Sequence, residues 1–532
     1  MSAAAGASLP SGTERKDVVI VGGGHNALAA AAYLAQAGLS VVVLERLDDV
    51  GGAAVSAEAF PGLGARLSRY SYLVSLLPAS IVRDLRLDIR LARRRWSSYT
   101  PRPGERSGLL IDRVDASANA AALGADAAGW RAFYEDAELL ARTLFPTLTS
   151  PLMTRSEARR AIGDDRVWRD FIEEPVGRVV RDAIADDVAR GVALTDALIG
   201  TFAPNIDDTL ATNRCFLYHV IGGGTGDWDV PIGGMGAVSG ELRRAALLAG
   251  AELRTNAEAV SVTPDGEVVY RDRDAERRLG ARWVLAGCSP AELARLLGEA
   301  PASAPEGAQV KVNLLLSRLP RLLDPAVDPR AAFGGTFHVN ESWAQFEAAF
   351  ATASAGAIPD PLPLEIYCHS LADPSILSED LRATGAQTIT VFGLHVPHRL
   401  APRADEIGGA GGADAAEYRA RLQEAVIRSL DAVLAEPIES LILEDAEGRP
   451  AIETRTTLDL EHSLRLPGGN IFHGPLEWPF ADDDAAFDTP ADRWGVATRH
   501  ERILVAGAGA RRGGGVSAVG GHNAAMAVLE SL

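Results

Sequence analysis

Residues 18–32 read VVIVGGGHNALAAAA, and this stretch limits the fold more tightly than any other. Val18 to Val21 form a short apolar strand. Gly22, Gly23 and Gly24 follow, and glycine alone tolerates both positive φ and the close approach of another group to the backbone. The spacing then predicts a helix over 25–37, with Gly38 as its C-cap. SVVVLER supplies a second strand, closed by Glu45 about 20 residues after the turn. A helix starting on such a turn offers free N–H groups and the positive end of its dipole to a diphosphate. An acid at the end of the second strand accepts hydrogen bonds from an adenosine ribose. Gly22, Gly24, His25, Asn26, Ala27, Glu45 and Arg46 are therefore candidate dinucleotide-binding residues, with Ala27 in the last glycine position of GxGxxG.

The continuation LERLDDVGGAAVS sets a second glycine pair, Gly51 and Gly52, then Ala53, soon after Glu45. A nicotinamide-binding domain has no use for this pair. A flavin dinucleotide does, because backbone must pass close to its diphosphate and ribityl chain. The expected cofactor is FAD. Cysteine and histidine are absent from any obvious attachment motif, so the expected binding is non-covalent.

Two later glycine runs need sorting. In HVIGGGTGDWD, residues 219–229, the glycines are followed by Trp228, Asp229 and then Pro231 rather than a helix, which reads as a loop over 222–231 before a helix over 237–248. ILVAGAGARRGGGVSAVGGHNAAMAVLESL ends the chain. Only one helix can follow this run, so it cannot be an independent strand–helix–strand unit.

The segments VVIVGGGHNALAAAAYLAQAG, VLERLDDVGGAAVSAEAFPGLGARLSRYSYLVSLL, VPIGGMGAV, KVNLLLSRLP, GGNIFHG and GGGVSAVGGHNAA, spread over residues 18–525, resemble the phytoene desaturase-like FAD oxidoreductases. The chain is most similar to the pyridine nucleotide-disulfide oxidoreductase domain-containing protein 2 family. The resemblance implies an α/β fold: a Rossmann-like FAD-binding domain of the amine oxidase/phytoene desaturase type, interleaved with an α+β substrate domain. It assigns 17–75, 225–300 and 456–532 to FAD, and 76–224 and 301–455 to substrate, after a disordered tail over 1–16. It implies that Val260 contacts the adenine through its backbone, and that Gly507, Gly514, Gly515 and Val516 bring amide hydrogens to the pyrimidine edge of the flavin. RWVLAGCSP reads as the strand that closes the first sheet, with Cys288 a small core residue. Ala27 and the Arg511-Arg512 pair depart from the usual pattern.

Composition narrows the function. A net charge of -19 disfavours a nucleic-acid partner. Three cysteines, Cys215, Cys288 and Cys368, form no CxxC pair. Disulfide exchange is excluded and a reducing, cytoplasmic setting is expected. No Cys/His cluster has metal-ligand spacing. No stretch reaches the ~20 apolar residues of a membrane span, which leaves room only for peripheral membrane contact.

Of 52 basic residues only Lys16 and Lys311 are lysines. Lys311 lies inside the alternating strand QVKVNLLL, and a compact ammonium there suits a water-holding site beside flavin N5; the competing reading is a strand-edge lysine snorkelling to solvent. His473, in GGNIFHGPLEWPF with Trp478, is a candidate acid or base, or a histidine that only bonds backbone. Arg69, Tyr70 and Tyr72 follow the second glycine pair, and alternation does not say which of them face the site. GGAGGADAAEY, near 408–418, reads as a flexible loop.

The expected function is FAD-dependent oxidation or desaturation of an apolar or amphipathic small molecule by hydride transfer to flavin N5. Oxygen, a quinone or another carrier would accept the electrons. The alternatives are a membrane-associated carotenoid desaturase or isomerase, and a non-catalytic flavin-binding regulatory protein.

Overall fold

In the computed structural model, residues 14–303, 305–402 and 412–532 are described. The opening strand, Glu14–Val21, pairs in parallel with Val41–Leu44, Val18 opposite Val41 and Val21 opposite Leu44. Val18 to Val21 and all of Val41–Leu44 are buried, as strands must be when helices cover both faces of a parallel sheet. Residues 14–16 belong to this strand, so the expected tail does not extend to 16; positions 1–13 lie outside the described residues.

The full sheet runs in the order Ala257–Val262, Glu267–Asp272, Ala275–Ala286, Glu14–Val21, Val41–Leu44, Glu252–Arg254. Ile503–Val505 pairs in parallel with the end of Ala275–Ala286, Val284 opposite Ile503. The twelve-residue strand Ala275–Ala286 is the pivot. Along its first half it pairs antiparallel with the hairpin, and from Leu279 onward it runs parallel to the opening strand.

Helix His25–Gln36 lies on this sheet, buried along nearly its whole length. Its alanines let two neighbours approach, Met235–Leu248 and Val519–Glu530. At one crossing a Cβ on Gly521 would stand 1.8 Å from the Asn26 carbonyl oxygen, so only glycine fits. The first and last helices are thus locked together, backbone on backbone.

A second sheet takes the order Ile452–Arg455, Val310–Leu316, Gln387–Gly393, Leu364–Tyr367, Thr336–Val339, Trp96–Pro101, Gly108–Asp112. It is antiparallel except where Thr336–Val339 meets Trp96–Pro101. A helical layer, including Ala127–Leu144, Val176–Ala183, Asp187–Leu194 and Ala211–Val220, packs around Phe133, Trp168, Phe171 and Phe216. Each sheet is assembled from segments distant in sequence. The stretch expected as a loop near 408–418 differs: residues 403–411 lie outside the described residues, but Ala413–Asp431 is a helix. Its repeated alanine and leucine spacing, AAEYRARLQEAVIRSL, outweighs the glycines before it.

Candidate dinucleotide site and adjoining cavity

The glycine turn and the second glycine pair meet directly. Gly51 donates its N–H to the Gly23 carbonyl at 2.8 Å. A Cβ on Gly52 would sit 3.1 Å from Gly24 Cα. Gly22 has φ +91° and packs on Gly287, where a Cβ would meet the Gly22 carbonyl at 2.8 Å and Ala27 Cβ at 2.9 Å. Ala27 is therefore as large as this crossing allows. Around this knot runs a groove lined by Gly22 to Asn26, Glu45, Arg46, Gly52, Ala53, Ser289 and His473.

Glu45 is buried, and its carboxylate accepts the N–H of Gly23 at 2.7 Å and of Leu47 at 2.8 Å. Each oxygen keeps further acceptor capacity, directed at the groove it lines. Arg46 donates to the Ser463 carbonyl at 2.5 Å, which ties residues 457–465 across the groove mouth.

The groove wall holds buried polar atoms without partners: His25 Nδ1, Asn26 Oδ1 and His473 Nδ1. His25 Nε2 lies 2.8 Å from the Gly515 carbonyl. Burial pulls the His25 pKa down to about 4, so the ring is neutral at pH 7. Its one proton sits on Nε2, and Nδ1 is left as a bare acceptor. Orphaned acceptors beside a helix N-terminus with free N–H groups suit a ligand that carries both hydroxyls and phosphate oxygens. A dinucleotide fits these residues.

The closing segment comes to the same place. Gly507 packs on Gly287, with 2.8 Å from a built Cβ to the Gly287 carbonyl. Gly514 and Gly515 have φ +83° and +41°, and the Tyr218 ring lies on their backbone. Val516 packs with Ala54, Val74 and Met235. Ala518, in the left-handed region, starts the last helix. Val260 lies on the strand beside the groove. Glu258 and Ala259 line the groove, whereas Val260 sits at a register shift between Ala259 and Ser261. Cys288 packs against the core of the first sheet and also lines the groove, with burial pushing its thiol up to about 12.

Lys311 is 5% exposed and is not snorkelling. It donates to the carbonyls of Ser68 at 2.8 Å and Tyr70 at 3.0 Å, and its ammonium lies 5.2 Å from the centre of the Phe392 ring. Burial lowers its pKa to about 7, against the opposing pull of the Glu453 carboxylate. One of its three N–H positions remains after these two bonds. His473 has φ +66°, and burial, aided by His25, lowers it to about 4. At neutral pH the ring is uncharged, with one donor and one acceptor nitrogen. Trp478 stacks on Phe480 away from the groove, under Arg214.

Arg69 pairs with Glu453 at 2.9 Å, and the Tyr70 hydroxyl reaches Ser463 Oγ at 3.4 Å. Tyr72 instead enters a cavity of 340 Å³ between the second sheet and the helical layer. Arg511 donates to the Phe480 carbonyl, and Arg512 to the carbonyls of Thr147, Ser150 and Trp494. Both arginines are ties between the closing loop and the helical layer.

Sequence reading missed the residues of this cavity: Arg94, Asp196, Glu365 and Tyr367. One signal was present. Glu365 in LEIY is a charge inside an apolar strand run.

Residues 20–81 match the NAD(P)-binding Rossmann-like domain family. A putrescine oxidase structure aligns with TM-score 0.55 at 16% identity over 98% of both chains. Cyclohexylamine oxidase from Brevibacterium oxydans aligns with TM-score 0.53 at 14% identity over 97% of this chain and 100% of its own. Pyridine nucleotide-disulfide oxidoreductase domain-containing protein 2 of Mus musculus is 28% identical over 97% of this chain and 94% of its own. Fold and site together define a dinucleotide-binding protein with a Rossmann-like domain and a second mixed sheet, built like those oxidases. Within that class, the chain belongs to the family of the uncharacterized protein Rv0897c of Mycobacterium tuberculosis, to which it is 55% identical over 97% of each chain.

Proposed function

We propose that this protein is an FAD-dependent oxidoreductase acting on a small molecule held in the cavity beside Tyr72. The observation that carries this reading is the 2.8 Å contact between His25 Nε2 and the Gly515 carbonyl, because it joins the first dinucleotide turn to the closing loop 490 residues later. A plain nicotinamide-binding domain has no need of that junction. The oxidoreductase and oxidase names of the relatives and structural neighbours support the same reading. FAD, when bound, supplies hydride acceptance. The N–H groups at Gly24–Asn26 would hold its diphosphate, Glu45 its ribose, and residues 514–519 its pyrimidine edge. Among the described residues no second strand–helix–strand dinucleotide unit stands apart from this one, which favours a diffusible electron acceptor such as oxygen or a quinone. The cavity lining carries Arg94, Asp196 and Glu365, which suits a polar or amphipathic substrate and disfavours a pure hydrocarbon.

The test is the chromophore. Purified protein should show flavin absorbance, and acid precipitation should leave FAD in the supernatant. A colourless protein that takes up no FAD, or that yields only NAD or NADP, overturns the reading.

A further inference from the structure

A guanidinium, Arg94, and two carboxyl groups, Asp196 and Glu365, face the 340 Å³ cavity with no ion pair joining them among the described residues. Arg94 donates Nε to the Trp228 carbonyl at 3.1 Å and Nη1 to Thr336 Oγ1 at 3.1 Å. It forms no ion pair among the described residues, and nearby Asp227 is already paired with Arg93 and Arg113. A half-buried guanidinium thus lines the cavity with donor capacity to spare.

The acidic side is also incomplete. Glu365 is 2% exposed, and its Oε2 has no hydrogen-bond partner. Asp196 lines the same cavity. Behind them, Glu341 accepts from Thr195 Oγ1 at 3.0 Å and lies 2.6 Å from His338 Nδ1, and His219 Nδ1 lies 2.8 Å from the Cys215 carbonyl, so neither imidazole of the lining bonds the two acids through that nitrogen. Burial, reinforced by Glu341, pushes Glu365 up to about 8, and burial pushes Asp196 up to about 6. Ser98 Oγ, 3% exposed and in the lining, is unpartnered too.

Buried polar groups of native proteins are almost always satisfied, so unsatisfied ones that converge on a cavity mark a ligand. Among the described residues no group of three or more His, Cys, Asp and Glu could hold a metal ion, which favours an organic cation. The aromatic walls, Tyr72, Trp228 and Tyr367, suit an organic ammonium, whose charge is attracted to ring faces. The guanidinium calls for a carboxylate, which it can hold in two parallel hydrogen bonds.

We propose that this cavity binds a small zwitterion, an ammonium and a carboxylate on one organic frame, with the ammonium against Glu365 and Asp196 and the carboxylate on Arg94. That the zwitterion is the substrate rests on the oxidoreductase reading; that it binds does not.

The protein as purified is titrated with ω-amino acids from glycine to 6-aminohexanoate and with aliphatic and aromatic α-amino acids. Each probe is paired with the amine and the carboxylic acid of the same carbon frame. Binding is read by calorimetry and by tryptophan fluorescence, since Trp228 lines the site. At least one zwitterion should bind at least tenfold more tightly than both of its single-charge analogues. Arg94→Gln and Glu365→Gln should each weaken that zwitterion at least tenfold, while Ser98→Ala gives a second, milder probe of the lining should either charge variant fail to fold. Binding of no zwitterion overturns the proposal, as does equal binding of an analogue lacking one charge. Because the titration needs no flavin reduction, a failed zwitterion site and a failed flavin reading give separate results.

Discussion

At the residue scale, Lys311 carries the clearest lesson. It is one of two lysines, placed in a strand, and the sequence marks it as unusual. What the sequence does not contain is its partners, because Ser68 and Tyr70 lie more than two hundred positions away and offer backbone carbonyls rather than side chains. The ammonium clamps the chain that follows the second glycine pair. Lys311→Met strands one buried and one part-buried carbonyl, each costing ~1–3 kcal/mol, so the urea midpoint should fall by the equivalent of about 2–6 kcal/mol. An unchanged midpoint would show that the clamp carries no load.

Glu365 makes a pH prediction at the same scale. Its folded pKa is raised to about 8 from the ordinary 4.5 of a free glutamate. The folded state therefore holds a proton that the unfolded chain has already lost, and stability falls as pH rises from the unfolded value toward 8. Glutamine has no proton to lose. The stability gained by Glu365→Gln should grow between pH 5 and 8, by at most ~1.4 kcal/mol per unit, with Asp196, Glu341 and His338 retained as neighbours. Parallel pH profiles of wild type and variant would contradict this.

At the element scale, strands and glycine turns were legible and their junctions were not. VVIV, SVVVLE and RWVLA read as buried strands, and the paired glycines read as close approaches. These features are local. Gly521 looked like any glycine in a terminal helix, and its constraint, the Asn26 carbonyl, comes from the opposite end of the chain. Gly521→Ala should cost ~1–3 kcal/mol through overpacking. Gly240→Ala, on an exposed helical face with nothing within 4 Å of the new Cβ, should be neutral or stabilise by ~0.5–1 kcal/mol. If denaturant titrations rank the two variants equally, the tight helix crossing is wrong.

At the scale of the whole molecule, the chain closes on itself twice. His25 reaches Gly515, and Arg512 ties the closing loop to Thr147, Ser150 and Trp494. The interleaving of the two sheets could be anticipated from the family resemblance. The charged lining of the second cavity could not, since Arg94, Asp196 and Glu365 share no motif and meet only through tertiary packing. A ligand held by both ends should stabilise the molecule as one unit. FAD at 100 times its dissociation constant should add about 2.7 kcal/mol to unfolding, with a single transition reported alike by helix signal and tryptophan emission.

The most direct test is a structure of the protein with FAD bound. The account predicts the diphosphate within hydrogen-bond distance of the N–H groups at Gly24–Asn26, and the pyrimidine edge facing the backbone of residues 514–519. A flavin whose ring system lies away from residues 514–519, or a diphosphate held elsewhere, would contradict it.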